Sequence, residues 1–124
     1  MQQLLLNYNN STIRCHRFGT GSSIVFCFHG YGQQSESFFF LANKPLFQYS
    51  FITIDLPYHA GTQWNETDDF DPFHLKKIIN QLLIIHFPDS INKKINLMGF
   101  SLGGRIALSY FEKNPDQVDR KSVV

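Results

Sequence analysis

Histidine is missing from the end of this sequence: none of the five follows His86, so any imidazole chemistry must draw on His16, His29, His59, His74 or His86. Cysteine is scarce, and Cys15 and Cys27 have neither C-x-x-C nor metal-ligand spacing. Both fall in apolar segments and read as buried, reduced thiols rather than a disulfide or a reactive pair. Charge of one sign is also lacking: eleven Lys and Arg face ten Asp and Glu, for a net charge of +1. That leaves no basic field for nucleic acid and no polybasic membrane patch. No stretch reaches the roughly 20 apolar residues of a spanning helix, and Met1–Leu6 has no positively charged start, so a cytoplasmic, non-membrane protein is expected. Linkers rich in Pro, Gly or Ser, internal repeats and low-complexity segments are absent too, so residues 1–124 are expected to form part of one domain.

Apolar material, by contrast, is plentiful. At 43% hydrophobic and 17% charged residues, the chain can build a core. Short strand patterns at 4–6, 12–18 and 24–28, separated by Asn9-Asn10 and Gly19-Thr20-Gly21, predict an antiparallel meander at the start. The pattern then alternates. A helix is expected at 36–43, stopped by Pro45, and a strand at 51–54. A long helix should follow, with Asp71 as N-cap and Pro72 at its first position, and with Leu75, Ile78, Ile79, Leu82, Leu83 and His86 on one face. A strand at 94–98, a helix at 102–113 and an apolar start at 122–124 complete the series. Strands alternating with helices imply an α/β architecture with a mostly parallel sheet and right-handed crossovers.

The strongest chemical signal is Gly99-Phe100-Ser101-Leu102-Gly103, a match to G-x-S-x-G. The bare pattern arises by chance in roughly 4% of chains of this length, given average Gly and Ser usage. Its setting is more specific, because it joins an apolar strand to an amphipathic helix, as a nucleophile elbow requires. A sharp turn of that kind holds Ser101 strained and exposed, and glycine at 99 and 103 removes side chains that would clash with the backbone. The turn also sets Ser101 at a helix N-terminus, whose free N–H groups favour a developing oxyanion.

Two further places lie just past strands, where α/β sheets build their sites. At His29-Gly30-Tyr31-Gly32 the glycines allow close approach, so the backbone N–H of Tyr31, with that of Leu102, can face an oxyanion. The His29 side chain reads as structural support, the alternative being a general base. In Asp55-Leu56-Pro57-Tyr58-His59-Ala60-Gly61-Thr62, Asp55 reads as a loop-fixing hydrogen-bond acceptor rather than a catalytic acid. Phe38 to Phe40 and Trp64 fit core or loop packing as well as they fit pocket lining.

The stretches FCFHGYG, ITIDLPYHAGT and INLMGFSLGGRIAL, in that order, resemble the α/β-hydrolase family over nearly the whole chain. The resemblance implies an eight-stranded, mostly parallel sheet with helices on both faces. It also implies a Ser101 nucleophile, an oxyanion hole from the Tyr31 and Leu102 backbone, a small-molecule acyl substrate, and neither metal nor organic cofactor. Tyr58 and Ala60 depart from it, standing where the family commonly has glycine. Phe100 also departs, at a position that is often His.

The family's triad runs Ser, then Asp or Glu, then His. After Ser101 come Glu112, Asp116 and Asp119 but no histidine. Glu112 is eleven residues along the helix, about 16 Å from the nucleophile at 1.5 Å rise per residue. Asp116 and Asp119 fall in the return to the opposite end of the sheet. Of the histidines only His29 and His59 lie near the right face, as non-standard bases. The tail VDRKSVV resembles the start of the sixth strand, so the expectation is the N-terminal part of a hydrolase domain truncated near that strand. Such a chain would be prone to self-association through an open sheet edge. Two function classes follow: a serine hydrolase acting on an ester, thioester or related acyl bond, or an inactive remnant or small-molecule-binding pseudoenzyme. The same machinery also serves acyltransferases and C–C bond hydrolases.

Overall fold

The computed structural model describes residues 1–124. Six strands form one sheet: β1 (Gln2–Tyr8), β2 (Ser11–Gly19), β3 (Ser23–Phe28), β4 (Tyr49–Ile54), β5 (Ile95–Gly99) and β6 (Val118–Val123), in the order β1-β2-β4-β3-β5-β6. β1, β2 and β4 pair antiparallel, whereas β4, β3, β5 and β6 are mutually parallel. The expected opening meander is therefore corrected. β3 does not pair with β2, because β4 lies between them. The reason is in the sequence of β3: five consecutive residues, Ile24 to Phe28, are buried, and a strand apolar on both sides belongs at the centre of a parallel sheet.

Helix α1 (Pro72–His86) starts as its sequence requires. Asp71 has extended backbone, its carboxylate accepts the His74 N–H at 2.9 Å, and Pro72 takes the first turn; such a cap contributes about 1 kcal/mol. Leu75, Ile78, Ile79, Leu82 and Leu83 point into the main core, with Phe26 and Phe28 from β3 and Ile52 and Ile54 from β4. Each fully buried side chain of this size contributes about 1.5–3 kcal/mol. Helix α2 (Leu102–Lys113) packs on the same sheet face through small residues, Gly103, Gly104 and Ala107, with Tyr110 below. Neither helix is long and apolar enough to cross a membrane.

The opposite face carries a smaller core of Phe18, Val25, Cys27, Phe38, Leu41 and Phe51. It is covered by residues 35–43, a 3₁₀ helix (Ser35–Asn43) rather than a regular α-helix. The final strand is also corrected. It begins at Val118, where the resemblance of VDRKSVV to a sixth strand puts it, and not at the apolar start at 122; only Val118 is buried, so strand formation here follows from pairing with β5 and not from an apolar pattern.

Trp64 belongs to the main core, stacked on Tyr8. Tyr8 also reaches His74 Nδ1 at 2.6 Å, while His74 Nε2 is 2.8 Å from Asp68, so this histidine is occupied in tying β1 to α1. Both cysteines are fully buried and unpaired, and burial pushes each thiol far above its ordinary pKa. Neither is a reactive thiolate.

Candidate active site

Register places the three sequence motifs together. Ile54, Phe28 and Gly99 are partners in one row across β4, β3 and β5. The residues that follow, Asp55, His29 and Phe100-Ser101, therefore leave the sheet side by side at its carboxyl edge, where α/β folds bind ligands.

The elbow is sterically enforced. Ser101 has φ 56° and ψ −115°, a backbone conformation that L-residues rarely adopt. A Cβ on Gly103 would overlap the carbonyl oxygen of Phe28, and one on Gly99 would overlap the Gly103 carbonyl. Only glycine lets α2 start this close to β3. The turn is also bonded: Ser101 N–H donates to Val124 O at 2.7 Å, and Arg105 N–H donates to Ser101 O at 3.2 Å. The Ser101 side chain is exposed and makes no capping bond, leaving its hydroxyl free. Leu102, at the first position of α2, carries one of the unpaired N–H groups of a helix N-terminus.

The His29–Gly32 turn abuts the elbow, with Gly30 packed against Phe100. Tyr31 N–H donates to no protein acceptor, although its neighbours on both sides do: Gly30 N–H to Gln33 Oε1 at 3.0 Å and Gly32 N–H to His59 Nε2 at 3.0 Å. His29 is fully buried. Leu56 N–H donates to its Nε2 at 2.9 Å, so the ring proton sits on Nδ1 and is donated to Gly30 O at 2.7 Å. Burial lowers its pKa, keeping it neutral. Both ring nitrogens of His29 are thus engaged in hydrogen bonds. His59 is occupied in the same way, accepting from Gly32 at Nε2 and donating from Nδ1 to Pro57 O at 3.0 Å.

Asp55 is completely buried at the head of the third loop. Its carboxylate accepts from Ser35 N–H at 2.8 Å, Gly61 N–H at 3.1 Å and the Arg14 guanidinium at 2.8 Å. Burial alone would raise its pKa, but these donors outweigh it and hold the carboxyl below the usual value. Every oxygen is spent on fixing the loop. Arg14 also pairs with Glu36 at 2.6 Å, and Ser35 Oγ bridges Glu36 and His16. Sequence reading overlooked Arg14, Ser35 and Glu36. The available signal was Arg14 and His16 two apart on one face of β2, alternating with the apolar Ile13 and Cys15, a polar pair that must find partners.

The loop also settles what replaces glycine at 58 and 60. Tyr58 and Ala60 keep a left-handed backbone, at φ 68° and 46°.

The acidic residues after Ser101 stay away from it. Asp116 lines a basic cleft with Lys76, Lys93, Lys94 and Lys113 at the opposite end of the sheet, and Glu112 is in the last turn of α2. His86 ends α1, where the chain returns to the amino end of β5. No three of the His, Cys, Asp and Glu side chains converge as a metal site would require. Beside the elbow, a cleft of about 530 Å³ is lined by Phe38, Phe40, Leu41, Met98, Phe100 and Val124, with no charged side chain.

A family model described as alpha/beta hydrolase fold matches residues 23–120. The chain belongs to the α/β-hydrolase fold family. Solved structures with the same fold include a membrane phospholipase A described as a bacterial virulence factor, at 20% identity and TM-score 0.79. They also include the thioesterase domain from the curacin biosynthetic pathway, at 19% and 0.77, and potato (Solanum tuberosum) epoxide hydrolase I, at 20% and 0.76. Each match covers 98% of this α/β-hydrolase chain, which in turn spans 38%, 43% and 39% of those chains. No curated protein matches by sequence. At these identities the likeness establishes the fold alone, and the mostly parallel sheet flanked by helices is that of the family.

Proposed function

We propose that Ser101 is the nucleophile of a serine hydrolase acting on an ester, thioester or related acyl bond, with the backbone N–H groups of Tyr31 and Leu102 as oxyanion donors. The observation that carries this reading is Ser101 itself: a free, exposed hydroxyl on a left-handed residue at a helix N-terminus, on an elbow that abuts the turn whose Tyr31 N–H has no protein acceptor. Attack by Oγ on an acyl carbon would place negative charge on the carbonyl oxygen, where preorganised donors contribute most. The neighbouring cleft, mainly apolar with Gln33, Ser37 and Ser122 as its polar side chains and none charged, is of the size ligand sites have and suits an apolar acyl group.

Residues 1–124 supply the nucleophile and donors but no base, since His29 and His59 have both ring nitrogens engaged. The chain alone is therefore expected to react slowly or not at all with a serine-directed fluorophosphonate. Added imidazole, acting as an external base, should produce labelling at Ser101 that Ser101→Ala abolishes. Label elsewhere, or none even with imidazole, would overturn the nucleophile reading and favour the second one, a small-molecule-binding pseudoenzyme. Rapid stoichiometric labelling without imidazole would show that one of the chain's own histidines serves as the base.

A further inference from the structure

The two loops that flank the elbow are joined by their histidines in a reciprocal way. His29, in the first loop, accepts the N–H of Leu56 in the other loop at 2.9 Å. His59, in that second loop, accepts the N–H of Gly32 in the first at 3.0 Å. Each ring spends its Nδ1 proton on a carbonyl of its own loop, Gly30 and Pro57. The rings lie edge to face, with centroids 4.9 Å apart, and Tyr31 packs on the outer side of His59 at 5.7 Å. Between the two anchored residues, Gly30 and Gly32, stands Tyr31 with its N–H free.

We propose that His29 and His59 form an interlocking clasp, and that His59 is a positioning residue that fixes the Tyr31 N–H toward Ser101 by holding Gly32. The two bonds differ in what they secure. Leu56 N–H to His29 is buried and belongs to the packed floor of the site. Gly32 N–H to His59 is exposed and restrains the one residue of the turn that has a left-handed backbone, at φ 76°, and no neighbour to pack against. Without that acceptor, the Tyr31–Gly32 peptide keeps only the turn-closing bond from Gln33 N–H to Gly30 O at 3.1 Å, and its rotation about Tyr31 shifts the adjoining Gly30–Tyr31 peptide, which carries the Tyr31 N–H. Its use as an oxyanion donor rests on the function proposed above, whereas the clasp itself does not.

The test uses the 124-residue chain and three variants. His59→Phe keeps an aromatic ring against His29 and Tyr31 but removes the acceptor. His59→Gln restores an acceptor at a comparable reach, and His59→Ala removes both. Amide hydrogen exchange should speed up at Gly32 by tenfold or more in His59→Phe and His59→Ala, and return toward wild type in His59→Gln, with no change in the strands. Imidazole-assisted fluorophosphonate labelling of Ser101 should fall in the same order, by about 10²-fold in the worst case, since displacement of a reacting group by about 1 Å has that effect. Unchanged exchange at Gly32 in His59→Phe would overturn the clasp. Altered exchange with wild-type labelling would overturn the positioning role. Failure of wild-type Ser101 to label would instead remove the hydrolase reading, and the positioning role with it, while exchange still decides the clasp.

Discussion

The elbow at 99–103 and the loop at 55–62 both hold non-glycine residues in left-handed backbone, and they do so by different means. At the elbow, closeness enforces the geometry: α2 begins against the Phe28 carbonyl, and only glycine at 99 and 103 fits. In the 55–62 loop, polar contacts enforce it. The buried Asp55 carboxylate gathers Ser35, Gly61 and Arg14, Thr62 Oγ1 donates to Asp55 O at 2.6 Å, and Thr62 N–H donates to His59 O at 3.2 Å. Left-handed non-glycine residues cost about 1–3 kcal/mol each and persist only where the surroundings over-determine them. The elbow should therefore respond to volume and the loop to charge.

The largest effect is expected on the polar side. Asp55→Ala removes a fully buried carboxylate, takes one of two acidic partners from the half-buried Arg14 guanidinium and strands two N–H groups, which should lower stability by about 3–5 kcal/mol in urea denaturation. Acid should act on the same region. The Asp55 pKa is lowered in the fold, so its contribution is complete above the unfolded carboxylate value of about 3.9 and is lost as pH falls through the folded pKa. His29 is also lowered, so the folded state binds fewer protons, and its stability contribution declines as pH falls below about 6.5. Thermal melts should therefore show midpoints dropping below pH 6.5 and falling further near pH 4. A flat profile from pH 7 to 4 would contradict this.

At the elbow, Gly103→Ala should cost about 3 kcal/mol, because the methyl meets the backbone carbonyls of Phe28 and His29, which cannot give way. Gly32→Ala is the sharpening control. Its Cβ would enter open space, so only the left-handed penalty of about 1–2 kcal/mol applies. Equal losses for the two variants would mean that packing does not enforce the elbow. The smallest effect is a gain. Ala60→Gly relieves a left-handed residue at the expense of roughly 0.5–1 kcal/mol of added chain entropy, leaving a net stabilisation of at most about 1 kcal/mol. A measurable loss on this substitution would show that the Ala60 methyl makes a packing contribution.

Legibility in sequence followed the range of the interactions. The start of α1 and both ends of α2 are readable to the residue, because a cap, a proline and a periodic apolar face act within a few turns. The G-x-S-x-G turn was readable because its strain is local to five residues. β6 is legible only through the resemblance of VDRKSVV to a sixth strand; its residues have no apolar pattern of their own, and its strand state comes from β5. The opening meander was misjudged for a related reason: strand order depends on which strand is buried on both faces, and β3 wins that contest only once β4 is available to separate it from β2. Residues 35–43 were recognised as helical, but their 3₁₀ form was not.

What the sequence alone determined is the chemistry available in residues 1–124: an elbow serine between two obligatory glycines, a glycine-bearing loop, and no histidine after it. What only the tertiary structure decided is which groups are free to use it. Register brought Asp55, His29 and Ser101 to one edge, and long-range bonds from Arg14, Ser35, Leu56 and Gly32 then engaged the carboxylate and both imidazoles, leaving the Ser101 hydroxyl and the Tyr31 N–H uncommitted. Such commitments join residues some 20 to 40 positions apart, and no local propensity encodes them, because a hydrogen bond depends on where its partner finally stands.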